Sequence, residues 1–413
     1  MTDPGAGASH LHPVASFDVA DHPMPTKGDE VWRFAPLEKL APLFSDSPAA
    51  DLASIRWQVP EGVAVTECGP DESMALGGQA PLDRLAAVAL ARAGSRVHLD
   101  VPDGFVADEP LRLDWVGWGT HVAPAKVAHG CLLVTVGANA RATIVLRHVG
   151  AGTHGEFTHL EVGSGAQVTF VSVQDWGPGA VHGGQQSVHV GRDASVKMVT
   201  VSLGGEVVRL SQTARLDAPG GRLEQFGMAF VDAGDHVEHR LSVDHAAPHT
   251  SSNIDYRNVL QGEGARSVWV GDVLIRKTAE DIETYEANKN LVLTDGCRVD
   301  SVPNLEIETG QIRGAGHSSA TGRFDAEQLF YLCSRGIPED EARRLVIGGF
   351  LADIVRRIGV PEVEDDVLAS IEGKLACREA DPSSCARSQD PFRATPGCCD
   401  SAQHDEGGAS NQE

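Results

Sequence analysis

From about Ala128 to Gly310 the chain alternates apolar and polar positions in short runs, broken by corners of small residues. VGANARATIVL from Val136, VGSGAQVTFVSV from Val162 and VGRDASVKMVTV from Val190 each carry Val-Gly, a corner closing on Ala, then a β-branched strand. Related corners recur in LDAPGGRLEQF at Leu216, LQGEGARSVWV at Leu260 and LTDGCRVDSV at Leu293. A strand-corner-strand unit every ~26 to 28 residues predicts coils stacked into a solenoid, each covering the apolar face of its neighbour. The interval is too irregular for a hexapeptide repeat, so oblong and variable coils are expected. An antiparallel sandwich with Gly-rich hairpins satisfies the same pattern.

The flanks read differently. Residues 1–28 are polar and Pro-containing without periodicity, a disordered leader. Residues 29–127 make an α/β segment: DEVWRFAPLEKLAPLF carries a short helix after Pro36, and PLDRLAAVALARAG runs from Pro81 to Gly94 with Leu82, Leu85, Val88, Ala89 and Leu90 on its buried side. Strand alternation follows at Val97 and Leu99 and again at Leu111, Leu113 and Trp115. The β core is expected over 128–324. From Asp325 the period becomes helical: Leu329, Phe330, Leu332 and Cys333 share one face, Gly336 stops that helix, and Pro338 opens the next. The second helix ends at Gly359, and a third stripe holds Val363, Val367, Leu368, Ile371 and Leu375. This helical domain spans 325–376. A disordered tail, 377–413, carries Cys377, Cys385, Cys398 and Cys399.

Composition narrows the function. The net charge of −24, from 34 basic and 58 acidic residues without a basic stripe, argues against nucleic acid and anionic membrane as partners. No apolar run is long enough to span a bilayer, and the first residues lack the pattern of a signal peptide, so a cytoplasmic protein is expected. Eight cysteines in such a chain read as thiols rather than disulfides. GGRLEQFG and GQIRGAGHSS lack the strand-to-helix fingerprint of a nucleotide site, so this chain is not expected to hydrolyse ATP. A β-helix enzyme acting on polysaccharide needs converging carboxylates and aromatic platforms, which 5% aromatic content furnishes poorly. A homodimeric solenoid without chemistry is the remaining plain alternative.

The stretch GHSSATGRFDAEQLFYLCSRGIPEDEARRLVIGGF resembles the C-terminal signature of the SufB and SufD family, the paired scaffold proteins of bacterial iron-sulfur cluster assembly. The opening WRFAPL also resembles that family, and His317 followed by Ser318 and Ser319 matches its SufD side. The resemblance implies a mainly β protein with a right-handed parallel β-helix core, an N-terminal α/β segment and a C-terminal helical cap. It implies pairing with SufB through β-helix edges, docking of the ATPase SufC on the C-terminal helices, and an indirect link to a cysteine desulfurase. The cargo it implies is a nascent iron-sulfur cluster shared with SufB, with reduced FAD in the complex. The chain itself would be a non-catalytic subunit, ATP being hydrolysed by SufC.

Two residues carry candidate chemistry. His317, in GAGHSSATG, is by residue type a solvated imidazole. The resemblance makes it an interface residue that helps build the cluster, where a neutral ring ligates iron. Cys297, in LTDGCRVDSVP, resembles in position the SufB cysteine proposed as sulfur acceptor and cluster ligand, tasks that suit a thiolate. It keeps a SufB-like scaffold open as an alternative. Asp300 stands where SufB has a histidine. His236, His239, His245 and His249 are dense enough to suggest zinc, but strand alternation puts His236 and His239 on opposite sides, and surface polar pairs are expected instead. The adjacent Cys398 and Cys399, with His404, lack a C-x-x-C spacing, so adventitious metal binding or oxidation is expected of them.

Overall fold

The computed structural model describes residues 15–45, 54–76, 78–118 and 127–377. Helix α1 (Leu37–Leu40), strands β1 (Ser54–Gln58) and β2 (Ala64–Glu67), helices α2 (Pro70–Leu76) and α3 (Arg84–Ala91), and strands β3 (Ser95–Val101) and β4 (Leu111–Val116) come first. The body follows as β5 (Val127–Val136), β6 (Arg141–Gly150), β7 (Thr153–Val162), β8 (Gln167–Trp176), β9 (Val181–Val190), β10 (Ser195–Ser202) and β11 (Val207–Leu216). It continues through β12 (Arg222–Val231), β13 (His236–His245), β14 (Ser251–Leu260), β15 (Arg266–Ile275), β16 (Glu283–Val292), β17 (Arg298–Ile307) and β18 (Gly314–Arg323). Helices α4 (Ala326–Ser334), α5 (Glu339–Ile358) and α6 (Pro361–Cys377) close the described chain.

The strands sort into two nine-stranded sheets by parity: β4 to β18 stack with their even-numbered neighbours, and β3 to β17 with their odd-numbered ones. From β3 and β4 onward every pairing is parallel, while β1 and β2 add antiparallel edges at the start. This is a parallel β-solenoid. The repeat has a physical cause at its corners. A Cβ on Gly191 would lie 2.5 Å from the Val162 carbonyl oxygen, and one on Gly163 would lie 2.9 Å from that of Val136. Only glycine lets successive coils approach this closely, and the approach is used, since Gly163 and Gly191 donate to those carbonyls at 2.8 and 2.9 Å. Asn139 and Asp193 turn each corner at φ 58° and 54°, a conformation Asn and Asp tolerate. Ala140, Ala166 and Ala194 close the corners and are buried. Coils begin at β3, before the Ala128 boundary drawn from the repeats, because the first strands lack the Val-Gly corner.

Inside the solenoid an apolar core, aliphatic with a few aromatic rings, runs from Ile55 to Ile282. Both outer faces are covered. Helix α3 lays Ala86, Ala89 and Leu90 on Cys131, Leu133 and Phe157 of the odd sheet. There Arg209, fully buried, sits 3.7 Å from the Trp32 ring, 3.2 Å from Asp83 and 3.4 Å from Glu238. On the even sheet, Ile347, Leu351, Ile354 and Ile358 of α5, with Val363, Val367 and Ile371 of α6, pack on Val171, Val199, Phe226 and Met228. The C-terminal helices therefore lie along the flank. The faces of β17 and β18 beyond the last coil stay open, and neither strand holds a fully buried residue. Part of the stretch read as leader is packed: Val19 of the turn Val19–Asp21 joins Ala87 and Val88, and Arg84 donates to the Val19 and His22 carbonyls. Residues 1–14 and the tail from residue 378, with Cys385, Cys398, Cys399 and His404, lie outside the described residues. No helix among the described residues is long and apolar enough to cross a membrane.

Candidate functional site

In a strand only every second residue faces the interior. On β16 that row is Thr284, Glu286, Asn288 and Asn290, and β18 stacks on it in register as Ala315, His317, Ser319 and Thr321. The penultimate coil thus presents an inward row that is polar throughout, stacked on Ser252, Ile254, Tyr256 and Asn258 of β14. Asn290 donates to Asn288 at 2.7 Å and to Thr321 at 3.3 Å, and Ser319 reaches across to Ser301 of β17 at 2.9 Å. Glu286 is nearly inaccessible and neither carboxyl oxygen has a hydrogen-bond partner. Burial first, then the Asp272 charge, pushes its pKa up to about 8, so it stays protonated at neutral pH. His317 lies over it, Nδ1 3.7 Å from Oε1, with 45% of its side chain exposed. The open end of the solenoid therefore presents a solvated imidazole backed by a buried acid. Such a ring offers iron a lone pair, and such an acid offers a proton.

This polar row continues inward. Ser202 bonds Gln174 at 2.8 Å and His239 at 3.0 Å, Gln174 bonds Ser172, and Gln186 links Ser172 to Glu156. Tyr256 donates to Gln212, which reaches Thr200. Buried polar groups persist because they partner one another.

Cys297 sits on a different element, at the corner between β16 and β17. It is half-buried, its thiol donating to the Gly262 carbonyl at 3.4 Å and lying 3.6 Å from Thr294 Oγ1. Cys297 and His317 thus keep separate neighbours. The histidine-rich stretch forms no shared site. His239 and His245 face inward, His245 against Thr250 and Ser252, while His236 points outward to Glu238 at 3.3 Å. Surface pairing was the wrong expectation for three of the four, since only His249, at 2.8 Å from Asp281, is exposed. Sequence reading passed over Glu286. Its signal was there: polar residues on the face of ETYEANKN that the solenoid requires to be inward.

At this end Arg298, Arg313 and Arg323 are paired with Asp300, Asp281 and Asp295.

The parallel solenoid ends at β17 and β18, the last strands of its two sheets, with Glu286 and His317 in register on the last two strands of the even sheet. A family model described as SUF system FeS cluster assembly, SufBD core domain, matches residues 120–350, and the chain belongs to that family. It is 44% identical over 373 residues to an iron-sulfur cluster assembly SufBD family protein of Mycobacterium tuberculosis, covering 89% of this chain and 93% of that one. A SufBD family protein of Mycobacterium leprae is 42% identical over 375 residues, covering 89% and 94%. The iron-sulfur cluster assembly protein SufD of Escherichia coli is 23% identical over 380 residues, covering 85% and 89%.

Proposed function

We propose that this chain is the SufD-type subunit of a SufB–SufC–SufD complex that assembles iron-sulfur clusters de novo in the cytoplasm. It turns over no substrate itself. The SufB-type subunit extends the two sheets from β17 and β18, where free backbone donors and acceptors template strand pairing. The nascent cluster is the cargo, and His317 donates a neutral imidazole nitrogen to its iron at that junction. Glu286 beneath it, held protonated by burial, carries no charge that would draw a proton onto the ring, so the imidazole stays in its neutral, ligating form. The SufC-type ATPase docks on α4 and the start of α5, where Phe330, Tyr331 and Leu345 are 75%, 57% and 54% exposed. ATP hydrolysis there shifts the pair between closed and open arrangements, because nucleotide states bind them differently. Sulfur arrives from a cysteine desulfurase through SufB, and Cys297, bonded to a backbone carbonyl away from His317, is at most a secondary acceptor.

The observation carrying this reading is the open last coil with His317 over buried Glu286. The test is to co-express the chain with its SufB-type and SufC-type partners, isolate the complex anaerobically, and measure iron, acid-labile sulfide and flavin. His317→Ala is expected to leave assembly intact and cut cluster content by about tenfold or more, as loss of a ligand does. Unchanged cluster content would remove His317 from the reaction.

A further inference from the structure

One and two coils beyond β11, far along the chain from His317, the inner rows of β6, β7 and β9 bring together His148, Glu156 and His182. All three side chains are fully buried. His148 Nε2 and His182 Nε2 stand 3.1 and 3.0 Å from the same oxygen, Glu156 Oε2. Among the described residues this is the one group of three His, Cys or carboxylate ligands whose donor atoms all lie within 4.8 Å of one another.

Hydrogen bonding alone leaves the group unsatisfied. His148 Nδ1 is 3.2 Å from the Val173 carbonyl oxygen, which only accepts, so that nitrogen carries the hydrogen. In a neutral ring Nε2 is then a lone pair facing a carboxylate oxygen, two acceptors in contact. His182 fails differently. Its Nε2 is close to Oε2 yet misses hydrogen-bond geometry, and its Nδ1 has no partner. Protonating both rings would place two cations with centroids 4.9 Å apart in a dry core.

A metal ion resolves the crowding of acceptors at Glu156 Oε2 and gives His182 Nε2 a partner, leaving only His182 Nδ1 without one. Donor atoms about 2.1 Å from one ion stand about 3 Å apart, with lone pairs converging on a point between them rather than on each other. The outer support is also in place: Thr158 and Gln186 hold Glu156 Oε1 at 2.6 and 3.0 Å, leaving Oε2 for the ion, and the Val173 carbonyl fixes the tautomer of His148.

We propose that His148 Nε2, His182 Nε2 and Glu156 Oε2 form a buried site for one divalent first-row transition metal ion. Two imidazoles and a carboxylate suit ferrous iron or zinc, whereas magnesium and calcium prefer all-oxygen sites and copper(I) wants sulfur. The ion neutralises Glu156 and ties β6, β7 and β9 together inside the coil stack. It enters as the coils close, since all three ligands are sealed from solvent. The site does not depend on the role proposed for His317.

The test uses the full chain, expressed with added Fe²⁺ or Zn²⁺ and purified anaerobically without metal affinity, with bound metal counted after desalting. About one ion per chain is expected, falling at least about tenfold in His182→Gln and in Glu156→Gln but not in His317→Ala. Fe²⁺ and Zn²⁺ arms separate the two ions, and X-ray absorption on the loaded protein reads nitrogen and oxygen donors with imidazole scattering. Should the variants not fold, the unsubstituted chain refolded in chelator, with and without Fe²⁺ or Zn²⁺, replaces them: faster or fuller recovery with metal supports the site. Retention of metal by both variants, metal bound through sulfur, or refolding indifferent to both ions with no metal retained overturns it.

Discussion

Glu286→Gln isolates the energetic consequence of burying an acid beneath His317. The native group titrates near 8 against an ordinary 4.5, because burial penalises its charge and Asp272 repels it. A carboxyl whose folded pKa is raised holds its proton more tightly in the folded chain. Its contribution is therefore complete below about pH 4, where both states are protonated, and is lost as pH rises toward and through about 8. At about 1.4 kcal/mol per unit, the full span has a ceiling on the order of 5 kcal/mol. Partial rotation toward the open end and solvent relaxation reduce that, so we expect roughly 2 to 4 kcal/mol. Gln keeps the shape and has no charge to desolvate. Urea unfolding of both proteins, followed by tryptophan fluorescence at intervals from about pH 5 to about pH 9, gives the difference in stability as a function of pH. Other titrating groups cancel in that difference. The variant should gain on the native protein as pH rises, most steeply between about pH 5 and 7, and level off above about 8. A difference that stays flat across this range would show that Glu286 ionises freely in the folded chain, and the account of the open end as a masked acid would fail.

Two further outcomes follow from the packing. Gly191→Ala forces a methyl group against the Val162 carbonyl oxygen of the coil below, and calorimetry should show a loss of about 1 to 3 kcal/mol, as for overpacking elsewhere; an unchanged melting temperature would mean that coil spacing is looser than the corner bonds imply. Arg209→Met strips buried Glu238 and Asp83 of a cation and should cost about 3 to 5 kcal/mol in denaturant, part of it recovered when Glu238→Gln is added. Additive losses in the double variant would argue that Arg209 acts through Trp32 alone.

The sequence by itself determined the coil. Val-Gly corners, small residues closing them and β-branched runs are local requirements of stacking one strand on another, so they repeat in the text wherever coils repeat in space. The helical period after Asp325 was equally legible, because an amphipathic stripe is a property of one segment. Which surface that stripe covers was not. Ile347 and Ile354 meet Val199 and Phe226, residues far away in the chain, and only the closed stack creates the flank they pack on. The same holds for the chemistry. His317 was legible through a continuous stretch of residues, whereas Glu286 matters because β18 lies on β16 in register. His148, Glu156 and His182 sit on three strands of two different sheets, and no spacing in the sequence announces them. Periodicity records which residues face inward; distance across the interior is fixed only when the coils close, and buried polar groups acquire their meaning from that distance.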